Sequence, residues 1–333
     1  MEEEKGRVCV TGATGYVASW LIMTLLRRGY SVHATVRSDP EKKRDMSFLT
    51  SLPEASKKLK IFHSDLNDPN TFEAPIKGCV GVFHVATPTP AHFENEPDEV
   101  VIKKTIDGTI GILKLCLESK TVKRVVYTSS TAAIDFSEKS GDVMVMDESF
   151  WSDVDYIKKL KSFASSYWVS KTLTEKTALE FSERNGLDLV TVIPSYVVGP
   201  FICPNLPASL EVALSMILGK PEFYNMLLNV NMVHVDDLVR AHIFLLENPN
   251  TKGRYICSSD IISIADLANF LSAKYPEFTI PTIESLQDLI DGSHRKAPIL
   301  SSKKLKDSGF QFKYGIDEIF DGAIQCCKEK GYL

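Results

Sequence analysis

The sequence has no hydrophobic run that approaches the roughly 18 consecutive apolar residues of a membrane-spanning helix, so we expect no membrane span. It also lacks an excess of positive charge. The formal net charge is −5, which argues against a nucleic-acid partner. The first residues, MEEEKGR, are acidic and contain no apolar segment of the kind that a signal peptide requires. We therefore expect a cytoplasmic protein.

Cysteine pairs at metal-binding spacing are missing as well. The seven cysteines are scattered and include no C-x-x-C pair, which favours reduced, buried thiols and predicts no metal site. The chain has 333 residues, of which 44% are hydrophobic, enough for one large domain or for a core with a smaller annex. No apolar surface that would mark an interface can be recognised, so a monomer is the default expectation.

The stretch RVCVTGATGYVASW, residues 7–20, predicts a buried strand, a glycine turn and the start of a helix. Gly12 permits a tight turn, Gly15 lets the backbone approach a pyrophosphate, and the small Ala18 lets the helix pack on the strand. The pattern G-x-x-G-x-x-A is one residue wider at its first spacing than the common dinucleotide fingerprint. It predicts a phosphate site, although a glycine turn that binds no ligand would have the same letters.

The end of the second predicted strand, residues 31–37, indicates which cofactor is preferred. An acidic residue there binds the ribose 2′-hydroxyl of NAD, but this chain has Arg37, whose guanidinium can bind a 2′-phosphate. Lys43 and Arg44 add positive charge just beyond, within a basic run that could also be a solvated helix face. The sequence therefore favours NADPH or NADP⁺.

Further apolar runs predict strands over 60–66, 80–90, 124–130 and 187–193, alternating with helices over 98–119 and about 163–184. This alternation predicts an α/β fold, a Rossmann-type doubly wound parallel sheet with a smaller C-terminal substrate-binding lobe. We expect residues 1–195 to form the cofactor-binding core and residues 196–333 mainly the lobe, with later segments returning to the sheet. Asp65, at the end of a strand, could bind the adenine amino group or cap a helix over 69–76.

Tyr167 and Lys171 lie four residues apart in a predicted helix, hence on one face. A nearby ammonium is expected to lower the pKa of the phenol so that Tyr167 can exchange a proton with substrate. Ser130, at the end of the preceding strand, can hydrogen-bond the same carbonyl oxygen. Each residue has an ordinary alternative, such as a Lys171–Glu175 ion pair, but together with the glycine turn the three predict catalysis.

The chain resembles the extended short-chain dehydrogenases/reductases of the plant dihydroflavonol-reductase-like group. The resemblance covers nearly the whole chain through VCVTGATGYVASWL, RGYSVHATVR, GVFHVATP, RVVYTSS, YWVSK, VVGPF, VHVDDL and GFQFKY. It implies an NADPH-dependent oxidoreductase in which Ser130, Tyr167 and Lys171 are catalytic, with Ser130 rather than Ser129 binding the carbonyl. The predicted cofactor contacts are Gly12, Gly15, Tyr16, Val17, Arg37, Lys43, Arg44, Asp65, Leu66, Val85, Ala86, Thr87, Tyr167, Lys171, Pro194, Val197 and Ser209.

Departures from the group narrow the expected substrate. The sequence SSYWVSK replaces the N-W-Y-C-Y-G-K of cinnamoyl-CoA reductases, which argues against a CoA thioester. Dihydroflavonol reductases typically have Asn, sometimes Asp, at the position of Asp135, and Gln at the position of Asn231. The shorter Asn231 side chain, with Met232 beside it, argues against their catechol-binding pocket. Trp168 adds an aromatic surface that suits a flat polycyclic ligand. The predicted substrate contacts are Thr89, Ser130, Asp135, Tyr167, Trp168 and Asn231.

We therefore expect NADPH-dependent reduction of a carbonyl on a plant polycyclic metabolite, an (iso)flavonoid-like ketone. The same residues serve the reverse reaction, so NADP⁺-dependent oxidation of a hemiacetal or alcohol of an alkaloid is the alternative. A nucleotide-sugar epimerase would share the fold and the tyrosine but would retain its cofactor through catalysis. A non-catalytic protein that senses NADPH is the alternative of another class, and it would keep its function in a Tyr167→Phe variant.

Overall fold

A computed structural model describes residues 5–37, 45–87, 97–138, 145–162, 164–292 and 298–333. Seven parallel strands of these residues form the central sheet, in the order β10-β7-β5-β4-β1-β2-β3. The seven strands are β1 Arg7–Val10, β2 Ser31–Val36, β3 Leu59–His63, β4 Gly81–His84, β5 Arg124–Thr128, β7 Leu189–Pro194 and β10 Gly253–Cys257. The chain order reverses on either side of β1 and β4, so the predicted doubly wound parallel α/β sheet is confirmed.

Helices cover both faces of this sheet. The α-helices are α1 Tyr16–Arg27, α2 Ser47–Thr50, α3 Ala55–Lys58, α4 Glu73–Ile76, α5 Asp98–Glu118, α6 Val154–Lys159, α7 Ser165–Asn185, α8 Ala208–Ala213, α9 Ser215–Leu218, α10 Val235–Glu247, α11 Ile264–Lys274, α12 Ile283–Asp291, α13 Lys303–Asp307 and α14 Ile316–Glu329. Helices α1 and α10 pack together, as do α5 and α7. Strands β4, β5 and β7 are buried throughout, as expected of a parallel sheet, whereas the edge strand β3 is partly exposed.

Two smaller sheets lie outside the central one. The first joins β8 Tyr196–Val198, β9 Asn229–His234 and β11 Asp260–Ser263, and the second pairs β6 Val145–Met146 with β12 Ile299–Leu300. A separate apolar cluster, which includes Phe201, Leu271 and Phe320, holds α8, α9, α11 and α14 around the first small sheet. From the same C-terminal part of the chain, β10 returns to pair with β7. The division at residue 195 remains a prediction.

Several predicted strands are shorter than expected. β4 stops at His84 rather than continuing toward residue 90, because the hydroxyl of Thr11 accepts the backbone N–H groups of Val85 and Ala86, both at 3.0 Å. β3 ends at His63 and β5 at Thr128. The residues that follow each parallel strand therefore lie at one edge of the sheet, where ligands of such folds bind.

The sequence of α5 has apolar residues at helical spacing, Ile102, Ile106, Ile110, Leu113 and Leu117, and this stripe predicts a core face. The observed core face differs from it. Of these side chains only Leu113 is fully buried. The most buried positions are instead Val101, Thr105, Gly108, Thr109, Ile112, Leu113 and Cys116. A Cβ at Gly108 would lie 2.7 Å from the carbonyl oxygen of Leu66, so the small residues allow a close backbone approach that apolar periodicity does not reveal.

Candidate active site

The glycine turn after β1 leaves space and unpaired donors. Gly12 has φ +74°, and a Cβ there would lie 2.9 Å from the Cα of Ala86, so both its conformation and its surroundings require glycine. Helix α1 begins after Gly15 with no side-chain cap on its first-turn N–H groups. Ala18 is buried against the core, as predicted. This cradle, with a positive helix end above it, fits a pyrophosphate.

A buried network fixes the segment after β4. Besides accepting from Val85 and Ala86, the hydroxyl of Thr11 lies 2.9 Å from Nδ1 of His84. Its single proton must go to that nitrogen, so Nε2 of His84 carries the ring proton and donates to the hydroxyl of Thr109 at 3.1 Å. Burial, together with the charge of Lys171, lowers the pKa of His84 to about 3, so the ring stays neutral. His84 is therefore a structural residue.

Lys171 reaches from α7 into the gap that opens where β4 stops. The pairing of β4 with β5 ends at His84 and Tyr127, which leaves the next carbonyl of β5 without a strand partner. Nζ of Lys171 donates to that carbonyl, on Thr128, and to the hydroxyl of Thr87, both at 2.8 Å. Two of the three N–H groups of the ammonium are thus used by described residues, and the third can serve a ligand. Burial lowers the pKa of Lys171 to about 7, while the charge of Glu175 opposes the shift.

Tyr167 lies one turn before Lys171, and its phenol lies near the hydroxyl of Ser130. Burial raises the pKa of Tyr167, and the neighbouring Ser130 hydroxyl opposes part of the rise. The expectation that Lys171 lowers this pKa is therefore wrong for the structure, because the ammonium is turned to Thr87 and Thr128. A phenol that stays protonated is the form that donates a proton.

The two adjacent serines have different surroundings. Ser129 is buried and its hydroxyl donates to Glu175 at 2.6 Å, whereas Ser130 is half-buried beside Tyr167. The Ser130 hydroxyl also accepts the N–H of Ala132 at 3.2 Å, which begins the 3₁₀ turn Thr131–Ala133. Only Ser130 of the pair therefore has its hydroxyl beside the tyrosine that the sequence singles out.

Other predicted cofactor contacts line the carboxyl edge of the sheet. Pro194 ends β7, and the carbonyl of Val197 in β8 accepts from the hydroxyl of Ser209 at 2.6 Å. The hydroxyl of Tyr16 donates to the carbonyl of Gly199 at 3.0 Å, which ties the start of α1 to the segment after β8. Between these residues Ser195 is buried, and its hydroxyl has no protein partner among the described residues. An unpaired hydroxyl at this edge fits a polar group of a bound cofactor.

At the other side of β1, Arg37 follows β2 and is exposed. Asp65 follows β3, but its carboxylate accepts from the N–H of Asn67 at 2.9 Å and does not cap the 3₁₀ helix Pro69–Phe72. Leu66 packs against Gly108 of α5. Lys43 and Arg44 lie outside the described residues. Val17, Val85 and Ala86 are half-buried around the glycine turn.

The substrate side of Tyr167 is aromatic. Trp168 stacks on Phe136 with ring centroids 4.1 Å apart and planes 24° apart. Tyr196 lies near Asp135 and Tyr167, and burial, reinforced by these two groups, raises its pKa to about 12. Tyr196 is a site residue that was not predicted from the sequence, because only the three-dimensional structure places it near Asp135 and Tyr167. Together these groups make a wall suited to a flat, partly polar ring system.

Two predicted substrate contacts have another status. The amide of Asn231 donates to the carbonyl of Pro298 at 3.0 Å and accepts from the N–H of Leu300 at 3.2 Å, which joins β9 to β12. A substrate could use only its remaining N–H and lone pair. Thr89 lies outside the described residues.

No group of three or more potential metal ligands occurs in the part of the chain that the structure describes. No helix there is long and apolar enough to cross a membrane.

A doubly wound sheet with a glycine turn and a Tyr-x-x-x-Lys helix at its carboxyl edge defines a Rossmann-type, nicotinamide-dependent oxidoreductase. The profile of the NAD dependent epimerase/dehydratase family matches residues 8–258, and the chain belongs to this family. The resemblance to plant reductases of the extended short-chain group is confirmed by individual relatives.

Three relatives match nearly the whole chain. Vestitone reductase of Medicago sativa is 55% identical over 100% of both chains. Protein BRI1-5 ENHANCED 1 of Arabidopsis thaliana is 51% identical over 99% of this chain and 91% of its own. Noscapine synthase SDR1 of Papaver somniferum is 50% identical over 98% and 93%, respectively.

Solved structures agree with the fold. The crystal structure of vestitone reductase from alfalfa (Medicago sativa) superposes with a TM-score of 0.87 at 52% identity, covering 99% of this chain and 100% of that one. Yeast methylglyoxal/isovaleraldehyde reductase Gre2 complexed with NADPH superposes with a TM-score of 0.79 at 26% identity, covering 98% and 100%. The chain is therefore similar over its whole length to reductases.

Proposed function

We propose that this protein is an NADPH-dependent reductase that converts a ketone on a flat, polycyclic, (iso)flavonoid-like plant metabolite into an alcohol. The observation that carries the proposal is that the Ser130 hydroxyl lies beside the Tyr167 phenol, one helical turn from Lys171. Similarity to vestitone reductase supports a flavonoid-like ketone, and similarity to the yeast reductase supports NADPH. NADPH, when bound, supplies the hydride that reaches the carbonyl carbon.

In this proposal the chain itself performs binding, orientation and proton transfer. The N–H groups at the start of α1 hold the pyrophosphate, and Arg37 holds the 2′-phosphate. The third N–H of Lys171 binds the nicotinamide ribose, next to the two that bind Thr87 and Thr128. Ser130 donates a hydrogen bond to the ketone oxygen, and Tyr167 donates the proton that this oxygen gains. Lys43 and Arg44 are proposed to add to the 2′-phosphate site.

The substrate rings are proposed to lie against Trp168, which Phe136 supports from behind. Asp135 and Tyr196 supply polar groups at the same side, where a hydroxylated ring would find partners. Thr89 and Asn231 complete the proposed substrate contacts. A broad aromatic wall favours a fused ring system over a small aliphatic carbonyl because stacking increases with contact area.

The experiment is a small panel followed by the loss of NADPH absorbance: an isoflavanone ketone, a dihydroflavonol, a cinnamoyl-CoA thioester and, with NADP⁺, a hemiacetal alkaloid. Turnover of the isoflavanone that falls by about 10²- to 10⁴-fold in Tyr167→Phe, with NADPH affinity unchanged, supports the proposal. Turnover of the thioester alone would contradict it. Activity that survives unchanged in Tyr167→Phe would contradict the role of the tyrosine, and a protein that binds NADPH without turning over any ketone would fit a sensor.

Oxidation with NADP⁺ is the second candidate function. It is favoured by the 50% identity to noscapine synthase SDR1, and the same three residues would serve it in reverse. Turnover of the hemiacetal without turnover of any ketone would select it. We also propose a cofactor-binding core of residues 1–195 and a mainly substrate-binding lobe of residues 196–333. The protein is further proposed to be monomeric and cytoplasmic. Light scattering of the purified chain tests the monomer.

A further inference from the structure

Glu175 lies on α7 one turn after Lys171, and its carboxylate is completely buried. Four donor atoms surround it: the hydroxyl of Ser129 at 2.6 Å, the hydroxyl of Thr191 at 2.7 Å, and Nε and Nη2 of Arg254 at 2.9 and 3.3 Å. Ser129 directly follows β5, Thr191 lies in β7 and Arg254 lies in β10. The carboxylate therefore fixes the middle of α7 to the sheet directly behind the active site.

Arg254 extends this anchor on the other side. It is 7% exposed, donates to the carbonyls of Glu148 and Phe150 at 2.8 and 2.7 Å, and lies with its guanidinium 3.5 Å from the ring centre of Trp151. Trp151 is thus a packing residue. Arg254 thus joins α7 to the segment that precedes α6.

An ion pair at this depth is not explained by stability alone. Removing two charges from water is costly, and well-packed apolar side chains of similar volume often stabilise such positions equally well. Nor does Glu175 pair directly with Lys171, although four residues along a helix would permit it. Lys171 instead donates to two neutral oxygens, on Thr87 and Thr128, so its buried charge has no carboxylate in direct contact among the described residues.

The groups that face Lys171 come from several elements. They are His84 at the end of β4, Tyr127 on β5, Tyr167 and Glu175 on α7, His242 on α10, which binds the hydroxyl of Thr128, and, behind Glu175, Arg254 on β10. Burial lowers the pKa of His84 to about 3 and that of His242 to about 4, so both rings are neutral near pH 7. Burial also raises the pKa of both tyrosines. Glu175 is therefore the anion of this set.

We propose that Glu175 is a positioning residue for Lys171: it locks the surrounding turn of α7 to the sheet and supplies the negative charge that stabilises the buried ammonium. Arg254 holds the carboxylate at one turn's distance, so Glu175 supports the charge without taking up the N–H that Lys171 needs for the cofactor. This inference rests on the proposed function only in assigning Lys171 to NADPH. Neutral lysine has two N–H groups for three acceptors, so loss of its proton weakens cofactor binding.

The test is the dissociation constant of NADPH as a function of pH, followed by quenching of tryptophan fluorescence. In the unmodified protein, binding should weaken as the pH rises through about 7, where Lys171 loses its proton. Glu175→Gln keeps the shape of the side chain and removes its charge, and it should move this midpoint down by about one pH unit. Near pH 7 its affinity should then be severalfold weaker. Lys171→Met should lack the midpoint and retain only the titration of the cofactor's own 2′-phosphate near about pH 6.

Two further variants separate positioning from folding. Glu175→Gln leaves Arg254 unpaired, so the double variant Glu175→Gln/Arg254→Met, which removes both charges, provides a second folded protein with a smaller downward shift. Asp188→Asn breaks the ion pair of Asp188 with the buried Arg124, 2.7 Å long, at the opposite end of β5. It should lower the melting temperature and leave the midpoint unchanged.

An unchanged midpoint in Glu175→Gln, with only a lower melting temperature, would overturn the inference and leave Glu175 a structural residue. The same shift in Asp188→Asn, or a midpoint that persists in Lys171→Met, would also overturn it. Because NADPH binding requires no substrate, failure of the ketone panel would contradict the proposed function without affecting this measurement.

Discussion

The hydroxyl of Thr11 and the imidazole of His84 are joined by a 2.9 Å hydrogen bond that fixes the tautomer of the ring. The same hydroxyl accepts two backbone N–H groups, from Val85 and Ala86, so it replaces the strand pairing that β4 would otherwise continue. One threonine oxygen therefore ends a strand and positions the segment that carries Thr87, a hydrogen-bond partner of Lys171.

Thr11→Val should be destabilising because it leaves two half-buried backbone N–H groups and one buried imidazole nitrogen without partners. At about 1–3 kcal/mol for each unsatisfied group, and with partial relaxation, we expect a loss of about 2–4 kcal/mol in the free energy of unfolding. Urea denaturation measures the loss. Thr11→Ser retains the oxygen and should lose about 1 kcal/mol or less; equal losses in the two variants would show that the methyl group matters instead.

The raised pKa of Tyr167 predicts how the two directions of the reaction depend on pH. With the phenol protonated throughout the neutral range, reduction has its proton donor, so kcat/KM for the ketone should stay nearly flat from about pH 6 to about pH 9 at saturating NADPH. Oxidation needs the phenolate, so its kcat/KM should rise about tenfold per pH unit over the same range. Steady-state rates with the ketone and with its alcohol product check both curves.

The thermodynamic ratio of the two directions must change with pH in any case, because a proton is consumed. The structure predicts that this change appears in kcat/KM for oxidation and not in kcat/KM for reduction. A plateau in oxidation above about pH 7, with reduction falling instead, would mean that the phenol of the working complex has a lowered pKa.

Arg37 should decide between the two nicotinamide cofactors. Arg37→Ser removes the exposed guanidinium at the end of β2, so we expect KM for NADPH to rise about tenfold to hundredfold while KM for NADH changes little. Lys57→Ser is the matched control, because Lys57 is also exposed and basic. It precedes β3 and so lies toward the amino ends of the strands, whereas Arg37 lies at their carboxyl ends. Equal effects in both variants would indicate a general loss of positive potential rather than a phosphate contact.

Much of the fold was predictable from local patterns, since apolar runs and the glycine turn are written in adjacent residues. The sheet, α1, α5 and α7 follow from them directly. The ends of strands were not predictable in this way. β4 stops because a side chain 74 residues earlier takes the N–H of Val85, and no local pattern near residue 85 reports that bond.

The same distinction between local and distant residues applies to the candidate site. Tyr167 and Lys171 could be found because their function depends on a spacing within one helix. The partners that set their chemistry could not: Arg254 is 79 residues from the carboxylate of Glu175. The pKa of Tyr167 was mispredicted because proximity in sequence suggested a Lys171 ammonium turned toward the phenol, whereas its N–H groups bind Thr87 and Thr128.

We expect the stacked pair of Trp168 and Phe136 to affect substrate affinity rather than the rate of the chemical step. Trp168→Ala should raise KM for a flat polycyclic ketone about tenfold, because about 0.5–1.5 kcal/mol of ring stacking is lost in addition to the buried area. The NADPH dissociation constant and kcat should change by about threefold or less, since Lys171 and Tyr167 are retained. Steady-state kinetics and a direct NADPH titration separate these effects.

Trp168→Phe keeps a smaller aromatic face and should lie between the alanine variant and the unmodified protein. Trp20→Phe is the control for loss of an indole elsewhere, because the Trp20 side chain donates to Asp236 at 3.3 Å between α1 and α10. If Trp168→Ala lowered kcat with KM unchanged, the indole would act on the geometry of the adjacent Tyr167. The ring system of the substrate would then have to bind another surface of the site, with Tyr196 and Asp135 the nearest polar candidates.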